Sequence, residues 1–191
     1  RYAPFIAWLE AKGEEGQAAF WGDYLARYEE KSGIPTLKEG EVRGQDKEWA
    51  LELSEEQTGG LELLAARSGV SLNTVMQGIW AVILAKYNQR EDVVFGMTTS
   101  GRSAGVANIE QLTGLFIDTV PVRIRPEAGR SFTDLLGQIH RESIQAREHE
   151  HHSLAKIQAL WTGTGDLFDH IMVFANYPVD PRLTGEAGLP D

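Results

Sequence analysis

The sequence has 191 residues, of which 42% are hydrophobic and 24% charged, and this is enough for one substantial hydrophobic core. A net charge of −10 argues against binding to nucleic acids or anionic membranes, and no apolar run approaches the length of a bilayer span. The absence of cysteine excludes disulfides, thiolate zinc sites and a cysteine nucleophile and permits a reducing compartment, so we expect a cytoplasmic protein.

The chain starts at Arg1, without a basic-then-apolar leader, so we expect a piece of a longer polypeptide. Tyr2, Phe5 and Trp8 form an aromatic opening. A second group recurs at helical spacing and comprises Phe20, Trp21, Tyr24, Leu25 and Tyr28. Such a stripe predicts a helix with an aromatic packing face. The stretch from Gly33 to Gly44 predicts an exposed connection.

Two helices follow a short strand in the next part of the pattern. Trp49–Leu53 alternates apolar and polar residues, which predicts the strand. Ser54, with Gln57 in the capping-box position, starts a helix that Gly69 ends. Ser71 starts a second helix to about Gln89, whose small polar surface predicts burial against a sheet.

Strands and helices alternate through the rest of the chain. Val93–Phe95 predicts a short strand, and the following Gly96–Arg102 carries no phosphate-binding motif. Ser131 starts another amphipathic helix, and Ile171–Phe174 predicts a last strand. The interleaved elements predict an α/β fold, with a mixed sheet and packed helices.

The stretch from Gly114 to Arg123 predicts the central strand. Both of its faces are largely apolar, which is typical of a strand covered on both sides. Pro121 cannot donate to a ladder, so the strand is interrupted or lies at an edge there. Asp118 is the one carboxylate on an apolar row. It indicates either the wall of a channel or a core strand with a satisfied acid, and these residues favour neither.

The histidine cluster does not make a metal or catalytic motif. His149 and His152 can share a helical face with His140 nearby, but HExxH is absent and zinc lacks a third ligand. Histidines near a helix C-terminus are favoured by the helix dipole, so we expect a solvated or structural helix end and no metal. Lys156 stands where a His-His-xxx-Asp-Gly motif needs its acid. No serine has a GxSxG context, and we assign no catalytic residue in this chain.

Several stretches, in order along nearly the whole chain, resemble condensation domains of nonribosomal peptide synthetases. Gly114–Thr119, closing with Arg123, resembles the GxFVNTxxxR motif, with Asp118 in place of the usual Asn. Tyr2, Phe5 and Trp8 resemble the YxDFAVW motif, with Pro4 in place of the Asp. The remaining matches are His149–Leu154 with HQDYPFE, Val93–Arg102 with a strand and Ser-Gly-Arg loop, and Phe168–Pro178 with a later part of the family.

This resemblance implies a chloramphenicol-acetyltransferase-like fold, with two lobes in a V and a tunnel between them. Carrier proteins deliver substrates into the tunnel on phosphopantetheine arms, and an amine attacks a thioester to form a peptide bond. The family's catalytic HHxxxDG motif belongs to the N-terminal lobe and is absent from this chain. We therefore expect a partial condensation domain: an inter-lobe segment and helix at 1–30, a connection at 31–48, the C-terminal lobe core at 49–178 and a frayed tail at 179–191.

The resemblance also implies roles for individual residues. Those expected to line the substrate tunnel are Ser100, Gly101, Arg102, Gly114, Phe116, Asp118, Thr119 and Arg123. Those expected to have structural roles in their motifs are Tyr2, Phe5, Trp8, His149 and His151. Arg102 either pairs with an acid of the other lobe or is solvated. No cofactor is expected to bind the chain directly, apart from the phosphopantetheine arms of carrier proteins.

The implied parent is a multimodular synthetase of antibiotic or other secondary metabolism. The expected partners are the N-terminal lobe, peptidyl or acyl carrier proteins and an adjacent adenylation domain. Alternatives are a non-catalytic module that binds carriers, or a lobe of an epimerisation or heterocyclisation relative. Docking of an acidic carrier needs a basic patch. The candidates are Arg123, Arg125, Arg130, Arg141 and Arg147, although scattered solubilising arginines are the favoured interpretation.

Overall fold

The computed structural model describes residues 3–34, 48–102, 105–106 and 108–175. The helices are α1 (Ala3–Lys12), α2 (Glu15–Leu25), α3 (Glu55–Ser68), α4 (Leu72–Asn88), α5 (Phe132–Arg147) and α6 (Leu154–Leu160). The strands are β1 (Val93–Thr99), β2 (Asp118–Ile124) and β3 (Ile171–Met172), and a 3-10 turn spans Ile109–Gln111. Tyr2, most of the predicted connection at 31–48 and the predicted tail at 179–191 lie outside the described residues.

The three strands form one mixed sheet in the order β2-β1-β3, which confirms the predicted fold class. β1 pairs antiparallel with β2 from Val93 opposite Ile124 to Thr99 opposite Asp118. It pairs parallel with β3 at Gly96 opposite Ile171. Within the described part of the chain β2 is an edge strand, as Pro121 predicted, because a residue without an N–H is tolerated where no second ladder forms.

Helices cover both faces of the sheet. Helices α4 and α5 pack over one face, where the buried residues are Ala81, Leu84, Val93, Phe95, Ile124, Leu135 and Ile139. A second buried group joins α2 and α6 to the strands and comprises Trp21, Leu25, Tyr28, Val94, Val120, Ile157, Trp161 and Leu167. The aromatic stripe of α2 is therefore a packing face, as its spacing predicted.

The start of the predicted central strand is wrong by four residues. The strand begins at Asp118 instead of Gly114, and Leu115 and Ile117 are 77% and 63% exposed. Phe116 alone among them is buried, and it packs against α1 instead of joining the ladder. The prediction of cover on both faces therefore fails for the first part of the stretch.

Local signals at the helix ends are confirmed. Ser54 and Gln57 form both hydrogen bonds of a capping box, and Gly69 ends α3 in the left-handed conformation. Ser71 and Ser131 accept backbone N–H groups at the starts of α4 and α5. No single helix among the described residues is long and apolar enough to cross a membrane. Only α3 and α4 together meet that length and composition, and they are bent by 104° at their junction.

Two predictions from apolar patterns are wrong. Residues 49–53 form no strand, and Trp49 and Leu51 are 90% and 87% exposed. The last strand is limited to Ile171–Met172, and Val173 is exposed. A segment with an alternating apolar pattern forms a strand only where another strand pairs with it. None of the described residues pairs with 49–53. The burial of α4 against the sheet is confirmed, because Ala81 and Leu84 pack with Val93 and Phe95.

Candidate functional site

Three stretches that are far apart in the sequence meet in one aromatic cluster, which we call the aromatic junction: Phe5 and Trp8 of α1, Phe116 and His151. The ring of Phe5 packs edge to face with Phe116 at 5.0 Å and with His151 at 5.4 Å between centroids. Trp8 makes the same kind of contact with His151 at 5.1 Å. The structure thus brings residues expected to have structural roles into contact with one expected in the tunnel. Tyr2 lies outside the described residues.

The Ser100-Gly101-Arg102 loop is locked onto the segment that carries Phe116. Gly101 has a φ of +60°, and a Cβ there would overlap the backbone carbonyl of Phe116. The Arg102 guanidinium lies 4.5 Å from the centre of the Phe116 ring. It also donates to the carbonyl oxygens of Ile109 at 2.7 Å and Leu112 at 3.2 Å. Arg102 is therefore not a solvated side chain, since it caps the turn that precedes Phe116.

The remaining residues of these two motifs are more open. Ser100 is exposed, and its Oγ accepts the backbone N–H of Arg102 at 3.4 Å. Gly114 is exposed, while Thr119 is partly buried and lies opposite Thr98 in the sheet. We call Ser100, Gly114 and Thr119 the exposed rim, because none of them is fully buried.

Asp118 stands at the first position of β2, between this rim and the histidine segment. Its Oδ1 accepts the backbone N–H of Thr119 at 2.8 Å. Burial raises the pKa of the Asp118 carboxyl, and the nearby Glu150 raises it further. The hydrogen bond from the Thr119 N–H and the nearby His151 lower this pKa by smaller amounts than burial raises it. Of the two interpretations of this acid, a fully sealed core position does not apply, because the residue is only partly buried.

The segment from Glu148 to His152 holds α1 and α2 against the rest of the chain. The His149 ring stacks on Phe20 at 4.0 Å, and its Nδ1 lies 2.9 Å from Oε1 of Gln17. Trp21 donates its indole N–H to the His149 carbonyl at 3.1 Å, and Lys12 donates to the carbonyl of Glu148. No group of three or more possible ligands in the described residues could hold a metal ion. These histidines make packing contacts, in line with a structural role.

Arg123 is a buried clamp between the sheet and α2. It is 4% exposed and forms a two-pronged ion pair with Asp92, with N–O distances of 2.9 and 2.6 Å. Its third nitrogen donates to the carbonyls of Tyr24 and Ala26 at 2.7 and 2.9 Å. Its donors are therefore engaged within the chain. No feature of the sequence marked Asp92 as the partner, because an acid just before a strand is common.

A cleft of about 630 Å³ opens along β2, between α4 and α5. Its apolar wall includes Met97, Val120 and Val122, and Thr99, Glu150 and Gln77 add polar groups. The predicted tunnel residues Ser100, Arg102 and Arg123 line it, whereas Gly101, Gly114, Phe116, Asp118 and Thr119 are not among its lining residues. Sequence reasoning missed Gln77, whose buried Oε1 has no hydrogen-bond partner in the described part of the chain.

The family model described as "Condensation domain" matches residues 1–188. The chain belongs to the condensation-domain family. It is 43% identical over 186 residues to bacitracin synthase 3 of Bacillus licheniformis and 36% identical over 187 residues to tyrocidine synthase 2 of Brevibacillus parabrevis. Each match covers 97% of this chain, but only 3% and 5% of the two relatives. This condensation-domain chain thus spans a small part of the length of each relative.

Solved structures agree with the family assignment at the level of the fold. The first condensation domain of the CDA synthetase matches with a TM-score of 0.68 at 20% identity, over 85% of this chain and 35% of that one. The X-domain from teicoplanin biosynthesis matches with a TM-score of 0.65 at 24% identity, over 80% of this chain and 34% of that one. The expected condensation-domain fold, of the chloramphenicol-acetyltransferase-like class, is confirmed.

Gly101→Ala should destabilise this condensation-domain chain more than Gly129→Ala. Both glycines have positive φ, at +60° and +84°, so both alanines carry a left-handed penalty of about 1–2 kcal/mol. At Gly101 the new methyl group also meets the Phe116 backbone, whereas at Gly129 no atom of the described residues lies within 4 Å of it. Adding about 1–3 kcal/mol for overpacking gives a total of about 2–5 kcal/mol at Gly101. Urea unfolding measures both values, and equal losses would contradict the close approach.

The second prediction concerns acid pH and the histidine segment. Burial lowers the pKa of His149, His151 and His152 below the ordinary value of 6.5. The folded state therefore favours the neutral rings. Their contribution to stability is complete above about pH 6.5 and is lost as the pH falls through that value, because the unfolded chain then binds more protons.

We expect the free energy of unfolding to fall between about pH 7.5 and 5.5, on either side of the ordinary histidine pKa. His151→Phe should reduce this pH dependence, because it removes one titrating ring and keeps an aromatic group beside Phe5 and Trp8. His140→Gln is the control, since His140 lies on α5 and lines the cleft instead of the junction. Unfolding curves that are the same at both pH values would show that these rings titrate alike in both states.

Proposed function

We propose that this chain is the C-terminal lobe of a condensation domain that joins two carrier-bound aminoacyl or peptidyl groups through a peptide bond. The observation that carries the proposal is the junction of Phe5, Phe116 and His151, where three of the family's motifs meet beside an open cleft. The chain covers 34–40% of the similar condensation-domain structures, as expected for one of two lobes.

In this proposal the lobe supplies a wall and does not supply the catalytic base. The 191 residues contain no HHxxxDG, and His149 and His151 are engaged in packing contacts with Phe20 and Trp8. The Ser100-Gly101-Arg102 loop provides a rigid floor, because Gly101 and Arg102 bind it to the Phe116 segment. The N-terminal lobe of the same domain provides the catalytic motif, so the isolated chain is inactive.

The cleft fits an extended arm that carries amide groups, such as phosphopantetheine. It combines the apolar side chains of Met97 and Val122 with the unpartnered Oε1 of Gln77, which is an acceptor for an amide N–H. The arm, when a carrier protein presents it, supplies the reactive thioester. The residues of this chain would position the arm and exclude water from its apolar part.

A hybrid enzyme tests the proposed function. This chain replaces the matching 186 residues of bacitracin synthase 3, so that the relative supplies the rest of the protein. We expect the hybrid to form peptide product, detected by mass spectrometry, while residues 1–191 alone form none. Condensation by the isolated chain would contradict the two-lobe proposal. A hybrid that binds carriers but forms no product would favour the non-catalytic binding module.

In this proposal a carrier protein docks on α5. Three of the candidate arginines are already engaged: Arg123 and Arg125 lie 2.6 and 3.6 Å from Asp92, and Arg130 lies 3.3 Å from Glu127. Arg141 and Arg147 are exposed and have no ion pair in the described part of the chain. Ile144, between them at helical spacing, is 53% exposed. Ile144 and Arg147 also line the cleft, so an acidic carrier docked on this face would present its arm at the opening.

Charge reversal tests this docking face. Arg141→Glu with Arg147→Glu should weaken binding of a peptide-synthetase carrier protein to the 191-residue chain by at least about tenfold, because like charges then face each other. Arg67→Glu with Lys86→Glu is the matched control, since it changes net charge equally on α3 and α4. Surface plasmon resonance at low and moderate salt measures both. Equal losses in the two double variants would indicate an effect of net charge alone.

A further inference from the structure

Thr99 and Asp118 face each other at the end of the sheet. They are the last residue of β1 and the first of β2, and they lie opposite each other in the antiparallel register. Directly opposite residues point to the same face, with Cβ atoms about 4.5–5.5 Å apart. Both residues are only partly buried, and Thr99 lines the cleft. Two polar side chains therefore lie side by side at the end of the sheet, and Thr99 is the one that lines the cleft.

The charge of Asp118 has no cationic side chain to balance it in the described part of the chain. Its hydrogen bond from the Thr119 backbone occupies Oδ1, and none of the ion pairs of the described residues includes it. Arg102 directs its donors to the carbonyls of Ile109 and Leu112 instead. A half-buried carboxylate of this kind is stabilised by a cation or by further donors.

The titratable neighbours of Asp118 make its surroundings more negative. The groups that act on it are Glu150 and His151, and Glu150 is 4% exposed. Burial keeps the His151 ring neutral near neutral pH, because it lowers the pKa of that ring. Lys12 interacts with Glu148 and Glu150 and is not among the groups that act on Asp118. A positive ligand group would therefore meet a net negative field.

Thr99 supplies a second acceptor. Its Oγ1 is buried and has no hydrogen-bond partner among the described residues, which is an unfavourable state for a polar atom. The Thr99 residue lines the cleft, and the hydrogen bond from Thr119 uses Oδ1 of the neighbouring Asp118 and leaves its Oδ2. A primary ammonium group has three N–H donors and one positive charge, so it matches a carboxylate and a hydroxyl placed side by side.

We propose that Asp118 and Thr99 form a binding site for the primary ammonium group of a substrate. This inference rests on the proposed function and adds a specificity to it, because the reacting amine of the acceptor and a cationic side chain of either substrate both carry such a group. The Asn that the family motif has at position 118 would accept a hydrogen bond from the ammonium but would not balance its charge. Asp118 therefore makes this lobe selective for a cationic group.

Calorimetric titration of the 191-residue chain with three small probes tests the site. Glycinamide carries only an α-ammonium, Nα-acetylornithinamide carries only a side-chain ammonium, and N-acetylglycinamide carries neither. We expect at least one ammonium probe to bind at least about tenfold more tightly than the neutral probe, a difference of about 1.4 kcal/mol. The ammonium probe that binds identifies which substrate group the site holds.

Substitutions localise the binding. Asp118→Asn keeps the shape of the side chain and should abolish the preference for an ammonium, and Thr99→Val should weaken it by a smaller factor. Glu62→Gln, at an exposed position of α3, is the control for loss of one negative charge. Circular dichroism melting verifies that each variant folds. Equal binding of all three probes, no binding of either ammonium, or unchanged preference in Asp118→Asn would each overturn the proposal.

The hybrid enzyme separates this inference from the proposed function. If the hybrid forms peptide product while the chain shows no preference for an ammonium probe, this result refutes the ammonium site and leaves the condensation function standing. An ammonium preference that Asp118→Asn removes, together with no product from the hybrid, supports the site and refutes the function.

Discussion

The absence of a side chain at Gly101 is the constraint on which the candidate site depends. Its backbone lies so close to the Phe116 carbonyl that no Cβ would fit, and this contact holds the loop after β1 against the segment before β2. The segment leaves the ladder there, so β2 begins at Asp118 and Phe116 turns toward α1. The aromatic junction, the exposed rim and the placement of Asp118 opposite Thr99 all follow from that one approach.

Features set by neighbouring residues in the chain were predictable from the sequence. The Ser54–Gln57 capping box and the edge position of Pro121 were confirmed, because each depends on local hydrogen bonding. The start of β2 was not predictable, since it depends on a glycine in another segment. The strand expected at 49–53 failed for a related reason, because an alternating pattern carries no information about whether a partner strand is present.

The motifs identified the family but did not show which atoms their residues contact. Arg123 was expected to line a tunnel and does line the cleft, but its guanidinium is engaged by Asp92 and by carbonyls at the end of α2. The motif that contains Arg123 does not indicate these partners, because they lie in other parts of the chain. The same limit applies to the basic patch: counting arginines gave five candidates, and only ion-pair geometry separates Arg141 and Arg147 from the engaged ones.

Trp49 provides the chain with an intrinsic optical reporter. Its indole is 90% exposed, whereas Trp21 and Trp161 are 0% and 8% exposed in the core. Emission from Trp49 therefore reports on water around the extended segment before α3, while the buried indoles report on the fold. If another protein surface covered this segment, it would exclude water from the Trp49 indole and leave the emission of Trp21 and Trp161 unchanged.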